Sequence, residues 1–173
     1  MPRLYVICTA LLLFLISLSL AAKTVIIGRG DGQYPPYEWL EGGEFKGIHI
    51  DLIQKAASNL NIDISFTNLP WSRALVELEY GKISALTFIS HNVEREKYGL
   101  FLPGNILSTT SLRLFKLKHN REYTFTGKLG SLVNATIGVQ RGFSYSKEFD
   151  SSTLFTRQNL KNYQQALDLV ILN

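Results

Sequence analysis

The chain has 173 residues, of which 46% are hydrophobic and 18% charged, a balance that excludes a disordered polyelectrolyte and allows a packed globular core. Its formal net charge of +4 comes from dispersed lysines and arginines, without the compact basic and aromatic motif of a nucleic-acid binder. The single cysteine, Cys8, excludes an internal disulfide, and the scattered histidines His49, His91 and His119 lack metal-ligand spacing, so no metal and no cofactor is expected.

Met1-Pro2-Arg3 carries the only charge ahead of an apolar run from Leu4 to Leu20, and the run leaves through Ser17-Leu18-Ser19-Leu20-Ala21-Ala22. A basic start, an apolar middle and small residues at the exit are the pattern of a secretory signal peptide, with cleavage expected after Ala21. The competing reading is an uncleaved anchor, because the run approaches the roughly 18-residue lower limit for a spanning helix. Cys8 lies too early in the run for lipoprotein modification. About 150 residues follow the leader, enough for one ordinary domain and short for two.

Thr24-Val25-Ile26-Ile27-Gly28 is a continuous apolar run, as expected of a strand buried on both faces. A loop rich in Gly, Pro and aromatic residues follows from Arg29 to Gly47. Over Ile50 to Leu60, Ile53, Ala56, Ala57 and Leu60 recur at helical spacing. Ile62 to Phe66 alternates as a strand does, and Trp71 to Tyr80 puts Trp71, Leu75 and Leu78 on one helical face, ended by Gly81. Ile83 to Ile89 is the next strand candidate. Strands and helices joined by short connections imply a largely parallel sheet.

After the charged turn Glu94-Arg95-Glu96-Lys97 comes an apolar stretch, Ile106 to Lys118, expected to be extended. A second round of elements starts at Ala135-Thr136-Ile137-Gly138-Val139, with a helix start near Gly142, a short strand over Ser152 to Phe155, and a last helix marked by Leu160, Tyr163, Leu167 and Val170. Charge divides unevenly: residues 23–112 carry eight basic and ten acidic side chains, net −2, and residues 113–173 carry nine and four, net +5. That asymmetry is read either as a solvated surface or as a cleft that attracts anions.

Five segments taken in order carry a resemblance: Asp31-Gly32-Gln33-Tyr34-Pro35-Pro36-Tyr37-Glu38-Trp39, Gly47-Ile48-His49-Ile50-Asp51-Leu52-Ile53, Leu69-Pro70-Trp71-Ser72-Arg73-Ala74-Leu75, Glu94-Arg95-Glu96-Lys97-Tyr98 and Ile137-Gly138-Val139-Gln140-Arg141-Gly142. From Thr24 to the last residue the sequence resembles the family 3 extracellular solute-binding proteins, the polar amino-acid receptors of ABC importers. The resemblance implies the two-lobed α/β fold of periplasmic binding proteins of type II, closing by a hinge on a ligand held between the lobes. On that template residues 1–21 are the signal peptide, 22–109 are lobe one without its C-terminal return, and 110–173 are a hinge strand with part of lobe two.

Tyr34 follows the first strand, where open α/β sheets bind ligands, and it takes the family position of a stacking aromatic. Trp71 opens the second helix at the same end of the sheet and reads as a cleft wall or as core. The resemblance makes Arg95 the arginine that grips a ligand carboxylate through its planar fork, although an arginine between two glutamates is by itself a solvated charge. Between Ile83 and Arg95 this chain is one residue shorter than standard amino-acid receptors, which leaves the matches of Thr87 and Ser90 to ligand-contact positions open. Gly142 and Ser144 fall at the expected helix start, where backbone N–H groups receive a carboxylate or form a plain cap, and Arg141 adds a cation beside them.

The expected function is therefore periplasmic binding of an amino acid or related carboxylate for uptake, without catalysis, with a small-molecule ligand and an inner-membrane ABC permease as partners. A sensory ligand-binding module and a dehydratase-like enzyme on the same scaffold are the alternatives. For the enzyme, Asp31 and Glu38 are the only carboxylates near the cleft segments, and neither has an evident acid or base partner in the sequence. The last residues, Gln164 to Asn173, run through an apolar-faced helix with no capping glycine, and the chain is expected to be a fragment of such a receptor.

Overall fold

The computed structural model describes residues 24–172, so the expected cleavage after Ala21 lies outside the described residues. Two α/β units follow one another along the chain. The first contains β1 (Val25–Gly30), β2 (Trp39–Glu41), β3 (Glu44–Lys46), α1 (Ile48–Leu60), β4 (Ile64–Leu69), α2 (Trp71–Glu79) and β5 (Ala85–Leu86), and the second contains β6 (Thr136–Gln140), α3 (Lys147–Ser151), β7 (Thr156–Leu160) and α4 (Tyr163–Leu172).

β1 is the centre of a parallel sheet of order β4-β1-β5, in register from Val25↔Ile64 to Gly30↔Leu69 on one side and at Ile27↔Ala85 and Gly28↔Leu86 on the other. The chain leaves β1 toward one neighbour and returns to its other side, which creates a switch point at the carboxyl ends of β1 and β5. β1 is kept small where it meets the first core, since a Cβ on Gly28 would come within 2.5 Å of Ile83 Cδ1, while Arg29 of the same strand is buried among polar partners. The second unit has its own parallel pair, Thr136↔Thr156 through Gln140↔Leu160.

Each unit has its own core. Trp71, Ala74, Ile83 and Leu86 bury together in the first, and Leu132, Ala135, Val139, Phe149 and Phe155 in the second; Phe143 of the second unit packs on the core of the first. The helix ends follow from local chemistry. Asn61 adopts φ 53 after α1, and the N–H of Ile62 reaches back to the Ala57 carbonyl at 3.0 Å. Gly81, at φ +66, closes α2 as expected, with the N–H of Lys82 on the Glu77 carbonyl at 2.8 Å.

Several boundaries differ from the sequence reading. The loop after β1 carries the small antiparallel hairpin of β2 and β3, whose turn at Gly42 and Gly43 has both residues at positive φ. In α1 the buried positions are His49, Ile50 and Ala57, with Ile53 half-buried, while Leu60 is 67% exposed, because the helix packs through its first turns. Leu160 closes β7 instead of opening the last helix, since the strand pairs through Gln140↔Leu160. The helix expected near Gly142 begins at Lys147, where the Ser146 hydroxyl accepts from Phe149 N. The stretch from Ile106 to Lys118 forms no ladder among the described residues, and Ile106, Leu112, Leu114 and Phe115 are exposed.

Candidate functional site

Three loops emerge at the carboxyl edge of the central sheet and meet the end of β6. Gly30 ends β1 and Asp31, Gly32, Tyr34 and Glu38 follow it, Trp71 follows β4, Phe88 follows β5, and Gln140 and Phe143 come from the second unit; together they line a narrow cleft. Their side chains approach so closely that the space left between them is on the scale of one water molecule. Tyr34 and Phe88 stack at 5.0 Å with ring planes 4° apart, and Tyr163 meets both Tyr34 and Phe143 edge-on at 6.4 Å. Phe88 reaches this position with φ 56, a costly conformation for an aromatic residue and one that clusters at functional sites.

The two units are joined across the cleft at one carbonyl. Trp71 Nε1 donates to Gly142 O at 2.9 Å and Arg95 Nη2 donates to the same oxygen at 3.0 Å. Gly142 has φ +76, and a Cβ there would lie 3.2 Å from both Trp71 Cδ1 and Ser72 Oγ, so this approach needs glycine. The other arm of the Arg95 guanidinium donates to Ser90 O at 2.6 Å and Ser90 Oγ at 2.7 Å, and its Cζ stands 5.7 Å from the centre of the Trp71 ring. Arg95 is buried, and that burial lowers its pKa from the ordinary arginine value.

The residues singled out in the sequence divide here. Tyr34 and Trp71 line the cleft, and Arg95 and Ser90 form a bonded pair next to Trp71. Gly142 lies opposite as their acceptor. Ser144 donates through Oγ to Asp150 Oδ2 at 2.7 Å, and the N–H of Tyr145 also faces the Asp150 carboxylate at 3.2 Å, so these donors hold an acid of their own unit. Arg141 is exposed at the turn after β6. Burial raises the phenol of Tyr34, and it pushes that of Tyr163 up to about 12, with Tyr34 and Tyr145 adding to the rise.

Behind the cleft wall lies a polar cluster that the sequence reading did not assemble. Arg29 and His49 are 0% exposed, Glu38 1% and Thr87 2%. Glu38 Oε1 accepts from Thr87 Oγ1 at 3.1 Å and lies 3.6 Å from Arg29 Nε, while Oε2 lies 3.3 Å from His49 Nδ1. Arg29 also donates through Nη1 to Asn68 Oδ1 at 2.7 Å and through Nη2 to the Gly32 carbonyl. His49 Nε2 is 3.0 Å from Ser108 Oγ. Glu38, which had no evident partner in the sequence, thus has three. The available signal was a polar residue, His49, on the apolar stripe of α1.

Ser108, His49 and Glu38 stand in the order of nucleophile, base and orienting carboxylate. However, Ser108 is not among the cleft residues, and His49 is enclosed between the rings of Tyr37 and Phe88, each centred 5.5 Å away. The arrangement is suited to holding the loop after β1 in place. Among the described residues, no group of three or more His, Cys, Asp or Glu is placed to hold a metal ion, and no helix is long and apolar enough to cross a membrane.

A parallel sheet whose carboxyl-edge loops close against a second α/β unit around an aromatic and charged cleft defines a two-unit solute-binding fold. The chain belongs to the bacterial extracellular solute-binding proteins, family 3, whose sequence model matches residues 26–171. Among solved structures it is similar to the holo form of ArgBP from T. maritima, at 17% identity and TM-score 0.61, covering 86% of this chain and 65% of that one. It is also similar to an arginine-specific periplasmic binding protein of Salmonella typhimurium, at 18% identity and TM-score 0.60, covering 88% and 66%. An ancestral arginine-binding protein bound to glutamine matches at 20% identity and TM-score 0.54, covering 85% and 64%. The chain thus spans a little under two thirds of the length of that ancestral protein. No curated protein matched the sequence.

Proposed function

We propose that the two α/β units part to bind a small polar solute, an amino acid or related carboxylate, in the cleft between them, and that the protein acts without catalysis as a receptor for ABC-type uptake. The observation that carries this reading is Gln140. Its side-chain oxygen is buried at the cleft and has no hydrogen-bond partner among the described residues. An unpaired buried acceptor costs about 1–3 kcal/mol, and a ligand ammonium or amide N–H placed against it removes that cost.

The other proposed contacts divide the ligand between them. Tyr34, Trp71, Phe88 and Phe143 offer ring faces to its apolar body, and Asp31 offers a carboxylate to a cationic group. Arg95, steadied by Ser90, takes a ligand carboxylate in place of the Gly142 carbonyl, while Gly142 and Arg141 form the facing wall and Ser144, bonded to Asp150, supports it. Proteins similar in fold are described as bound to arginine and to glutamine, which supports an amino-acid ligand. Residues 22–109 and 110–173 serve as the two lobes, residues 1–21 direct export to the periplasm, and an inner-membrane permease is the partner.

A thermal-shift and calorimetric screen of amino acids and dicarboxylates against the purified protein tests the reading. A bound ligand at 100 times its Kd should add about 2.7 kcal/mol of stability. Absence of a shift with every compound would refute it. A dehydratase-like enzyme is favoured by one observation, the contact between Glu38 and His49, and one similar structure is an ancestral amino-acid-binding protein described as a precursor of cyclohexadienyl dehydratase. Turnover of a cyclohexadienyl substrate, absent in His49→Gln, would establish that second reading.

A further inference from the structure

Gly142 and Phe143 reach across the cleft from the second unit. The Gly142 carbonyl accepts from Trp71 Nε1 at 2.9 Å and from Arg95 Nη2 at 3.0 Å, two donors of the first unit that stand on α2 and on the helical turn Arg95–Lys97. The adjoining Phe143 ring is centred 5.3 Å from the Trp71 ring and meets Tyr163 edge-on at 6.4 Å, within the range of attractive aromatic pairs. Carbonyl and ring are joined by a short spacer, the amide nitrogen, Cα and Cβ of Phe143. An acceptor oxygen and an aromatic ring on a short spacer are also the parts of an aromatic amino acid.

The donors on this wall suit an anion better than a peptide carbonyl. Arg95 is buried, and its three hydrogen bonds all go to uncharged oxygens, Ser90 O, Ser90 Oγ and Gly142 O. A carboxylate in place of the Gly142 oxygen gives the guanidinium its counter-charge and a stronger, charge-assisted bond.

The place of the Phe143 ring discriminates among ligand side chains. It adjoins the same indole as the Arg95 guanidinium, whose Cζ is 5.7 Å from the centre of the Trp71 ring, so a cationic side chain there is repelled. A side-chain amide would exchange water for the rings of Trp71 and Tyr163. A neutral aromatic ring keeps the contacts that Phe143 already makes. The two acids that line the cleft do not reverse this order, because Asp31 is exposed and Glu38 is engaged by Arg29, His49 and Thr87.

We propose that the cleft selects an aromatic amino acid, and that Gly142 and Phe143 stand in for it while the two units are closed on each other. The ligand carboxylate takes the donors of Trp71 and Arg95, its ring takes the place of the Phe143 ring, and its ammonium faces the unpaired Gln140 Oε1. This names the ligand class for the binding reading above and rests on it. Because the stand-in competes with the ligand, it lowers the apparent affinity in proportion to the share of molecules it occupies.

Calorimetric titration with L-phenylalanine, L-tyrosine and L-tryptophan, beside L-leucine, L-glutamine and L-arginine, tests the ligand class. At least one aromatic amino acid is expected to bind about tenfold or more tighter than each of the other three. If L-leucine, L-glutamine or L-arginine comes within that factor of the best aromatic ligand, the class is overturned and the binding reading stands. If none of the six binds, the class falls, and the binding reading falls with it only when the wider screen of amino acids and dicarboxylates is also blank. Phe143→Ala tests the stand-in: with the competing ring removed, the best aromatic ligand should bind about threefold or more tighter. Unchanged or weaker binding overturns the displacement. Should that variant fail to fold, Phe143→Leu, which keeps apolar bulk and removes the ring, is titrated against the same criterion.

Discussion

Trp71 Nε1 donates to the carbonyl oxygen of Gly142 at 2.9 Å, a bond between residues 71 positions apart that joins the two α/β units at the cleft. Trp71→Phe keeps the packing and removes the donor. A loss of about 0.5–1.5 kcal/mol is expected, typical of one hydrogen bond, because Arg95 still serves the Gly142 oxygen. Gly142→Ala should cost more, since it meets both a positive φ and a 3.2 Å approach to Trp71. Urea unfolding of the two variants beside the parent checks the order.

Arg95→Lys is expected to act on stability as well as on binding. The guanidinium serves Ser90 twice and Gly142 once, and a single ammonium cannot reproduce that fork. The variant should lose at least about 1.4 kcal/mol of ligand affinity, a factor of ten, and its ligand-free melting temperature should fall. Lys97 provides the control: its pairing with Glu94 is exposed, so Lys97→Ala should stay within about 0.5 kcal/mol of the parent.

Glu38→Gln keeps the size of the side chain and removes the only anion of the buried cluster. Arg29 would then be enclosed without a counter-charge, and a loss of about 3–5 kcal/mol is expected. If the variant loses less than about 1 kcal/mol in chemical denaturation, the ion pair is not what holds the loop.

Tyr163, 52% exposed, should make a modest contribution to the alkaline limit of stability. Its phenol is pushed up to about 12 by burial and by Tyr34 and Tyr145, above the ordinary tyrosine value near 10. The folded state therefore keeps the proton where the unfolded chain has lost it. The associated stability is complete below about pH 10 and is lost as pH rises toward about 12. Stability measured from pH 9 to 12 should fall less steeply in Tyr163→Phe than in the parent.

Local periodicity was enough to read the central strand, the helix from Trp71 and its glycine stop, because these depend on neighbours within a few residues. The resemblance to family 3, and not periodicity, singled out Tyr34, Trp71, Arg95 and Gly142, whose segments carry it, and it left Ser90 open. It could not show that Trp71 and Arg95 meet on the carbonyl of Gly142, because that contact depends on how two separately packed units face each other. Nor could it join Glu38 to Arg29, His49 and Thr87: those residues come from a loop, a strand, a helix and a strand end, and burial alone makes their pairing obligatory. The start of the helix at Lys147 was misread for a related reason. Ser144 and Tyr145 are occupied by Asp150, a local capture that leaves no periodic trace. The sequence by itself determined the alternation of strands and helices in each unit and the family they belong to. Tertiary packing decided which polar groups lost water together, and those groups set the shape of the cleft.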